Sequence, residues 1–387
     1  MKIAYFSPLP PQRTGIADYS RDLLPYLAEH ASLTLFVDQD VEVDAELGAR
    51  FPMRTVAEFP ACRWDFDVAV YQMGNSLFHE TTWHVSQQYP GVTVLHDYSL
   101  HHLVAGITAW RGDFARYSRE MGYAYGLSGC RLAREVQKGL RGYPLFEYPL
   151  NERCVATSLG VIVHSEYARS KLQSRPEVTN VAQVNQPVPL PESRNPARAT
   201  LGLPEDAFIV GQFGQMTPEK RLDDVVAAFR QLLRARSDVL LLLVGEVPEW
   251  YEGLERALGG LEEKVVSVGY VPDLSTFFDY VAACDICVNL RHPTLGETSA
   301  SLLRVMAVGR PVVVSDVGWY AELPGDCCLK LKHDGTEVEV LARYLLELAQ
   351  DLERARKMGE RARAYVAEHC DPRAVARAYL DFIESVL

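Results

Sequence analysis

The sequence predicts an α/β protein made of two doubly wound parallel-sheet domains, and three observations carry that prediction. Short apolar runs bounded by turn residues alternate with helical patterns along most of the 387 residues. The alternation occurs in two successive copies, and strands separated by helices pair in parallel with helices on both faces. Between the copies, the polar, proline-rich stretch from Asn185 to Pro196 has the composition of a hinge linker. With 48% hydrophobic residues the chain can fill two cores. The expected division is a first domain over 1–185 with a helical insertion at about 105–153, a linker over 186–199, a second domain over 200–371, and a final helix over 372–387 that packs back on the first domain.

In the first half the strands are expected at Lys2–Phe6, Leu33–Val37, Phe66–Gln72, Thr93–Leu95 and Gly160–His164, with helices at Ala17–Glu29 and Glu166–Gln173 among those between them. The connection after the first strand is unusual. A strand-to-helix loop needs about 2–6 residues, yet Ser7 to Ala17 holds three prolines, Arg13, Thr14 and Gly15 before the helix. Prolines stiffen such a loop, and a glycine before a helix start permits close backbone approach where anions are favoured. A plain turn would also explain that glycine. In the insertion, Ala105–Arg153 is rich in tyrosine, arginine and glycine, and both packing over the sheet and shaping a cleft fit it.

The second half repeats the pattern, with strands expected at Phe208–Phe213, Val239–Val244, Val265–Val268, Ile286–Leu290, Pro311–Ser315 and Cys328–Leu331, and an amphipathic helix at Leu222–Ala235. After Leu290 a loop presents Gly296-Glu-Thr-Ser299, a helix follows to Val308, and Gly309-Arg-Pro ends it. Backbone N–H groups, hydroxyls and one carboxylate at a helix start suit a ligand carrying both a diphosphate and sugar hydroxyls. Helix capping alone accounts for Thr298 or Ser299 but not for Glu297 with the long loop before it.

Charge and composition exclude several classes. A net charge of −12 and a pI near 5.4 leave no general basic surface for nucleic acid. No segment reaches the roughly 18 apolar residues of a membrane span, and the first residues enter a strand with no basic leader region. A cytoplasmic protein is expected, with peripheral contact at the inner face of the membrane left open. The eight cysteines are scattered through apolar segments, so Cys284-Asp-Ile-Cys287 reads as a pair of buried structural thiols, lacking the second pair or histidines of a zinc site. Asp38-Gln-Asp40 lies among further acids and reads as solvated surface.

The stretch Arg291–Pro324 resembles the donor-sugar motif of family-4 (group 1) retaining glycosyltransferases of the GT-B fold, in which two Rossmann-like domains face across a cleft. Gly211-Gln-Phe-Gly-Gln-Met-Thr-Pro-Glu-Lys-Arg-Leu222 resembles that family's diphosphate-binding turn, and Val268-Gly-Tyr-Val-Pro272 its base-contacting turn. Val94-Leu-His-Asp97 and Val161-Ile-Val-His-Ser165 are similar to its strand ends in the first domain. Three positions depart from the pattern: Gln215 stands where arginine is usual, Arg304 where the second glutamate of a spaced pair is usual, and Gly296 opposite the first glutamate, with Glu297 one place later.

The resemblance implies a hexosyltransferase-like, metal-independent enzyme that moves a sugar with retention from a UDP- or GDP-sugar to a glycan, lipid-linked or small-molecule acceptor, as in polysaccharide biosynthesis. Lys220 and Arg221 would stabilise the leaving diphosphate, His96 would contact the donor sugar, and Glu297 would accept from its hydroxyls. Donor contacts are expected from Gly15, Gly214, Gln215, Tyr270, Val271, Gly296, Thr298, Ser299 and Arg304. Arg13, Thr14, Gln72, Gly74 and Asn75 are expected on the acceptor side, although Arg13 also reads as a surface charge. No cofactor and no metal are expected. Two other readings remain at this point: a sugar-nucleotide epimerase or hydrolase, for which only Asp97 and Asp18 offer carboxylates in the first domain, and a non-catalytic sugar-binding protein closing about a hinge.

Overall fold

A computed structural model describes residues 1–39, 41–192, 198–248, 251 and 253–387, apart from the side chains of 253–255. Asp40 and residues 193–197 of the expected linker lie outside the described residues. The contacts divide the chain into two units: unit 1 is Met1–Pro187, Leu295–Thr298 and Pro372–Leu387, and unit 2 is Val188–Thr294 and Ser299–Asp371. The contact boundary thus follows Pro187, two residues past the expected 185, and a four-residue piece of the expected 200–371 domain clusters with unit 1.

Among the described residues, unit 1 holds seven parallel strands, β1 (Lys2–Phe6), β2 (Ser32–Val37), β3 (Met53–Thr55), β4 (Val68–Met73), β5 (Val92–Leu95), β6 (Gly160–Val163) and β7 (Val181–Gln183), in the order β3-β2-β1-β4-β5-β6-β7. Strand period two sends alternate side chains to opposite faces. Ile3 and Tyr5 therefore enter one core with the helices Gly15–Leu27 and Pro372–Val386, while Ala4 and Phe6 enter another with Phe36, Phe59 and Tyr71. All six residues of β4 are buried, as a central strand covered on both faces requires. The first helix begins at Gly15, two residues earlier than expected, because Thr14 is extended and its Oγ1 accepts from the Ile16 N–H at 3.1 Å.

The insertion contains one long helical segment, Phe114–Gln137, capped by Asp113 and broken at Gly126, whose φ of 62° is left-handed. Its Tyr117 and Met121 pack with Leu103, Val161 and Val163, so part of the insertion covers the sheet.

Among the described residues, unit 2 holds six parallel strands, β8 (Phe208–Phe213), β9 (Val239–Val244), β10 (Val265–Gly269), β11 (Ile286–Asn289), β12 (Val312–Ser315) and β13 (Leu329–Leu331), ordered β10-β9-β8-β11-β12-β13. The helix Leu222–Ala235 covers one face through Val225, Phe229 and Leu232, and the helix Ala300–Val308 covers the other through Leu302, Leu303 and Met306. Ser299 caps the latter by accepting from the Leu302 N–H at 3.2 Å, and Gly309, at φ 84°, ends it with its N–H on the Val305 and Met306 carbonyls. All eight cysteines are free. Cys284 and Cys287 are fully buried in the unit 2 core, where burial pushes the Cys284 thiol well up in pKa.

Candidate functional site

In unit 2 the turn after β8 brings separate segments to one point. Gly214 sits at φ 90°, a left-handed conformation that a side chain resists. A Cβ placed on it would lie 2.6 Å from Lys220 Nζ and 3.2 Å from Ser301 Oγ. Backbone bonds hold the turn, with the Gly214 N–H on the Val244 carbonyl at 2.8 Å and the Met216 N–H on the Glu246 carbonyl at 2.8 Å. Lys220 folds back under it, 6% exposed, and its ammonium donates to the Phe213 carbonyl. A lysine so buried at a strand end is costly without a purpose or a partner. Its amine, the Ser301 hydroxyl and the start of the Ala300–Val308 helix converge there. Ser301 also accepts from Asn289 Nδ2 at 3.3 Å, at the end of β11.

Around that point the other expected donor residues divide. Arg304 is half-buried one turn beyond Ser301 and on the same helical face. Gln215 is exposed beside Gly214. Arg221 adopts a left-handed conformation (φ 53°) at the start of the Leu222–Ala235 helix, and its Nε pairs with Asp224 at 2.7 Å. Tyr270 is 41% exposed and Val271 half-buried just after β10.

Gly296 to Thr298 are held by contacts within unit 1. Gly296, at φ 78°, is buried, and a Cβ on it would overlap Tyr98. A glutamate at that position would be strained and crowded, which explains why the carboxylate stands at 297 instead. Glu297 Oε2 accepts from the Leu295 N–H at 2.7 Å, so the carboxylate shapes the loop. Thr298 Oγ1 reaches the His164 carbonyl at 3.4 Å, and Ser299 is the cap described above.

In unit 1 the ends of β4, β5 and β6 assemble a buried polar core. His96 is 6% exposed, with Nε2 2.7 Å from Gln72 Oε1 and Nδ1 3.3 Å from His164 Nε2. His164 Nδ1 donates to the Val184 carbonyl at 2.7 Å, and His79 Nδ1 to the Gln72 carbonyl at 2.9 Å. Burial pulls His96 well below the usual imidazole pKa and lowers His79 and His164 to about 4. Tyr19 lies edge-on to His96, its ring centroid 4.6 Å away.

Two acceptor expectations are corrected here. Gln72 is fully buried because β4 is central, so it holds His96 rather than facing a ligand. Gly74 is also buried: a Cβ there would overlap Ile16 and come within 2.8 Å of His79 Nε2, so the chain's own packing explains the glycine. Asn75 does lie at the surface, half-buried, with its N–H on Asp97 Oδ2 at 2.8 Å and its Nδ2 2.9 Å from His102 Nδ1. Arg13 is exposed and Thr14 serves as the helix cap. Gly15 is exposed, and among the described residues no atom beyond its chain neighbours and its own helix backbone lies within 4 Å of where its Cβ would be.

A family model for "Glycosyl transferases group 1" matches residues 207–351, the stretch that contains the Gly214–Lys220 turn and the Ser299–Arg304 helix start. That match spans most of unit 2 and none of unit 1 before Val188. Among curated relatives, a GDP-mannose-dependent monoacylated alpha-(1-6)-phosphatidylinositol monomannoside mannosyltransferase of Corynebacterium glutamicum is 26% identical over 181 residues, 46% of this chain and 47% of that protein. An N-acetyl-alpha-D-glucosaminyl L-malate synthase of Bacillus anthracis is 27% identical over 48% of each chain. The chain thus spans about half the length of the curated relatives it matches.

Among solved structures, the Anabaena protein HepE in complex with UDP-glucose superposes with a TM-score of 0.70 at 17% identity, over all of both chains. WaaG, a glycosyltransferase involved in lipopolysaccharide biosynthesis, gives 0.64 at 16% over 98% and 99%. These likenesses show the GT-B fold. Ser301 and Asn289 are the residues of its candidate donor site that the sequence reading missed. Their signals were the Ser299-Ala-Ser301 helix start and an asparagine ending an apolar strand. Among the described residues no group of three or more His, Cys, Asp or Glu could hold a metal ion, and no helix is long and apolar enough to cross a membrane.

Proposed function

We propose that the chain is a retaining glycosyltransferase that takes a sugar from a UDP- or GDP-sugar and passes it to a hydroxyl acceptor without a metal. The convergence of Gly214, Lys220 and Ser301 at the helix start carries this reading. Breaking the sugar–phosphate bond leaves the bonding pair on a diphosphate that already carries two negative charges, and this third charge must be stabilised as the bond stretches. A buried ammonium, a hydroxyl and helix N–H dipoles supply that stabilisation in place, and the bare left-handed Gly214 lets phosphate oxygens approach the backbone. Arg304, on the same helical face, adds a second cation where the family pattern has a glutamate.

Tyr270 and Val271 are suited to the base, and the Glu297–Ser299 loop to sugar hydroxyls. Arg13, Thr14, Gly15 and Asn75, in unit 1, are assigned to the acceptor side. Retention follows from attack on the same face of the sugar from which the diphosphate departs, and no protein nucleophile is assigned. His96 acts through its packing, a neutral imidazole fixed by Gln72 and His164. The relatives' donors, GDP-mannose in one case and UDP-glucose in a solved complex, support the two nucleotides chosen.

The test is a thermal-shift panel of UDP, GDP, ADP, TDP and CMP with and without EDTA. A nucleotide at about 100 times its dissociation constant adds roughly 2.7 kcal/mol of stability. UDP or GDP should stabilise the protein, EDTA should change nothing, and radiolabelled sugar should then transfer from the matching donor. Silence from all five would remove the reading.

A further inference from the structure

A cavity of about 480 Å³ opens on unit 1, lined by Asn75, Ser76, Leu77, Phe78, His102 and Trp110. Its walls are chiefly hydrocarbon and aromatic, with Leu77, Phe78 and Trp110 exposed by 48%, 46% and 50%. Three large apolar side chains around one hollow form a patch, which differs from the single exposed residues found on any surface. The patch continues beyond the cavity. His102 meets the rings of Trp110 and Phe146 at 6.2 and 6.1 Å, and Trp110 meets Tyr143 at 6.0 Å. Gly106 permits the wall, since a Cβ there would sit 2.8 Å from Leu77 Cδ2 and 3.4 Å from Trp110.

The polar groups at the base are engaged with one another. Asn75 Oδ1 accepts from the Leu103 N–H at 3.1 Å, Asn75 Nδ2 meets His102 Nδ1, and the Asn75 N–H is on Asp97. A sugar ring entering here would bring a hydroxyl on nearly every carbon, each giving up water for few replacements. A hydrocarbon chain needs no such partners and gains about 0.8 kcal/mol for each methylene withdrawn from water.

We propose that this cavity binds the hydrocarbon part of an amphiphilic acceptor, an alkyl or prenyl chain carrying the hydroxyl that receives the sugar. The proposal rests on the glycosyltransferase reading above, in which Asn75 belongs to the acceptor side, and it narrows the acceptor to a lipid-like class. The long aromatic insertion then has a use: its Trp110 supplies one wall.

The experiment is calorimetric titration of the full chain with n-alkyl β-glucosides from methyl to octyl, each below its micelle concentration. Binding should tighten about fourfold per methylene, which is 0.8 kcal/mol converted at room temperature, until the cavity is full. In Phe78→Ser and Trp110→Ser the increment should fall below about twofold per methylene. Both side chains are half exposed, so these variants should fold, and Leu77→Ser provides a third probe should either fail to.

A flat series in the wild type overturns the proposal, as does a chain-length dependence unchanged in the variants. Methyl glucoside binding as tightly as octyl would make the cavity a sugar subsite instead. The nucleotide panel run on the same samples separates the two readings. Nucleotide stabilisation with a flat alkyl series removes only the lipid-like acceptor, whereas chain-length dependence with a silent panel leaves an apolar binding site and removes the glycosyltransferase assignment.

Discussion

Lys220→Ala should abolish the stabilisation given by UDP or GDP in the thermal-shift panel while lowering the stability of the unliganded protein by about 1.5–3 kcal/mol, the worth of a hydrogen bond made by a charged group. Gly214→Ala tests the same point by geometry. The methyl group meets both a left-handed backbone and the Lys220 amine, so nucleotide affinity measured by titration should fall at least about tenfold, with about 1–2 kcal/mol lost from folding. The histidines make a prediction about pH. His79 and His164 titrate near 4 in the folded chain, against about 6.5 unfolded, chiefly because burial disfavours the charged ring. Between those values the unfolded state binds more protons, so stability is complete above about pH 6.5 and is lost as pH falls toward 4. Urea midpoints from pH 8 to 4 should show this drop, and His79→Asn, which can keep a donor to the Gln72 carbonyl, should make it shallower. The turn that carries Lys220 and the helix start that follows Glu297 were legible in the sequence because both are local patterns. Ser301 and Asn289 were not, since their meeting with Gly214 depends on β8 and β11 lying side by side. Gln72 and Gly74 misled for the opposite reason: a strand end read as a ligand wall proved to be filled from inside.

The strands of both sheets show where element-level reading succeeds. β8 and β9 fall on the expected residues, as do the helices Leu222–Ala235 and Glu166–Gln173, because buried parallel strands are continuous apolar runs and an amphipathic helix repeats its period several times. β3 and β7 were missed. Each is a three-residue edge strand with no fully buried residue, too short for a period and too polar for a run. Two further helices meet at a point no pattern reveals. Gly359, inside Leu352–His369, lies so close to Gly309 that a Cβ would overlap its carbonyl oxygen. Gly359→Ala should therefore push the Ala300–Val308 and Leu352–His369 helices apart and cost about 1–3 kcal/mol in denaturant melts, more than a helical glycine-to-alanine change would suggest.

At the scale of the molecule, the two-domain α/β architecture was legible from the doubled alternation and the proline-rich stretch, whereas the membership of Leu295–Thr298 in unit 1 was not, because it is settled by contacts with Ser99 and Tyr98 far away in sequence. The final helix matters more than its position suggests. Val375, Ala376, Tyr379 and Ile383 complete a core begun by Ile3 and Tyr5, and Tyr379 shares a hydrogen bond with Tyr19, 360 residues earlier. Ile383→Ala should cost about 2–4 kcal/mol in denaturant melts, and a chain ending at Asp371 should lose the cooperative unfolding of unit 1. A discontinuous unit also has an order of manufacture. As the chain emerges from the ribosome, the first sheet must wait with one apolar face short of its cover while all of unit 2 is synthesised, and that face closes only when the helix Pro372–Val386 arrives.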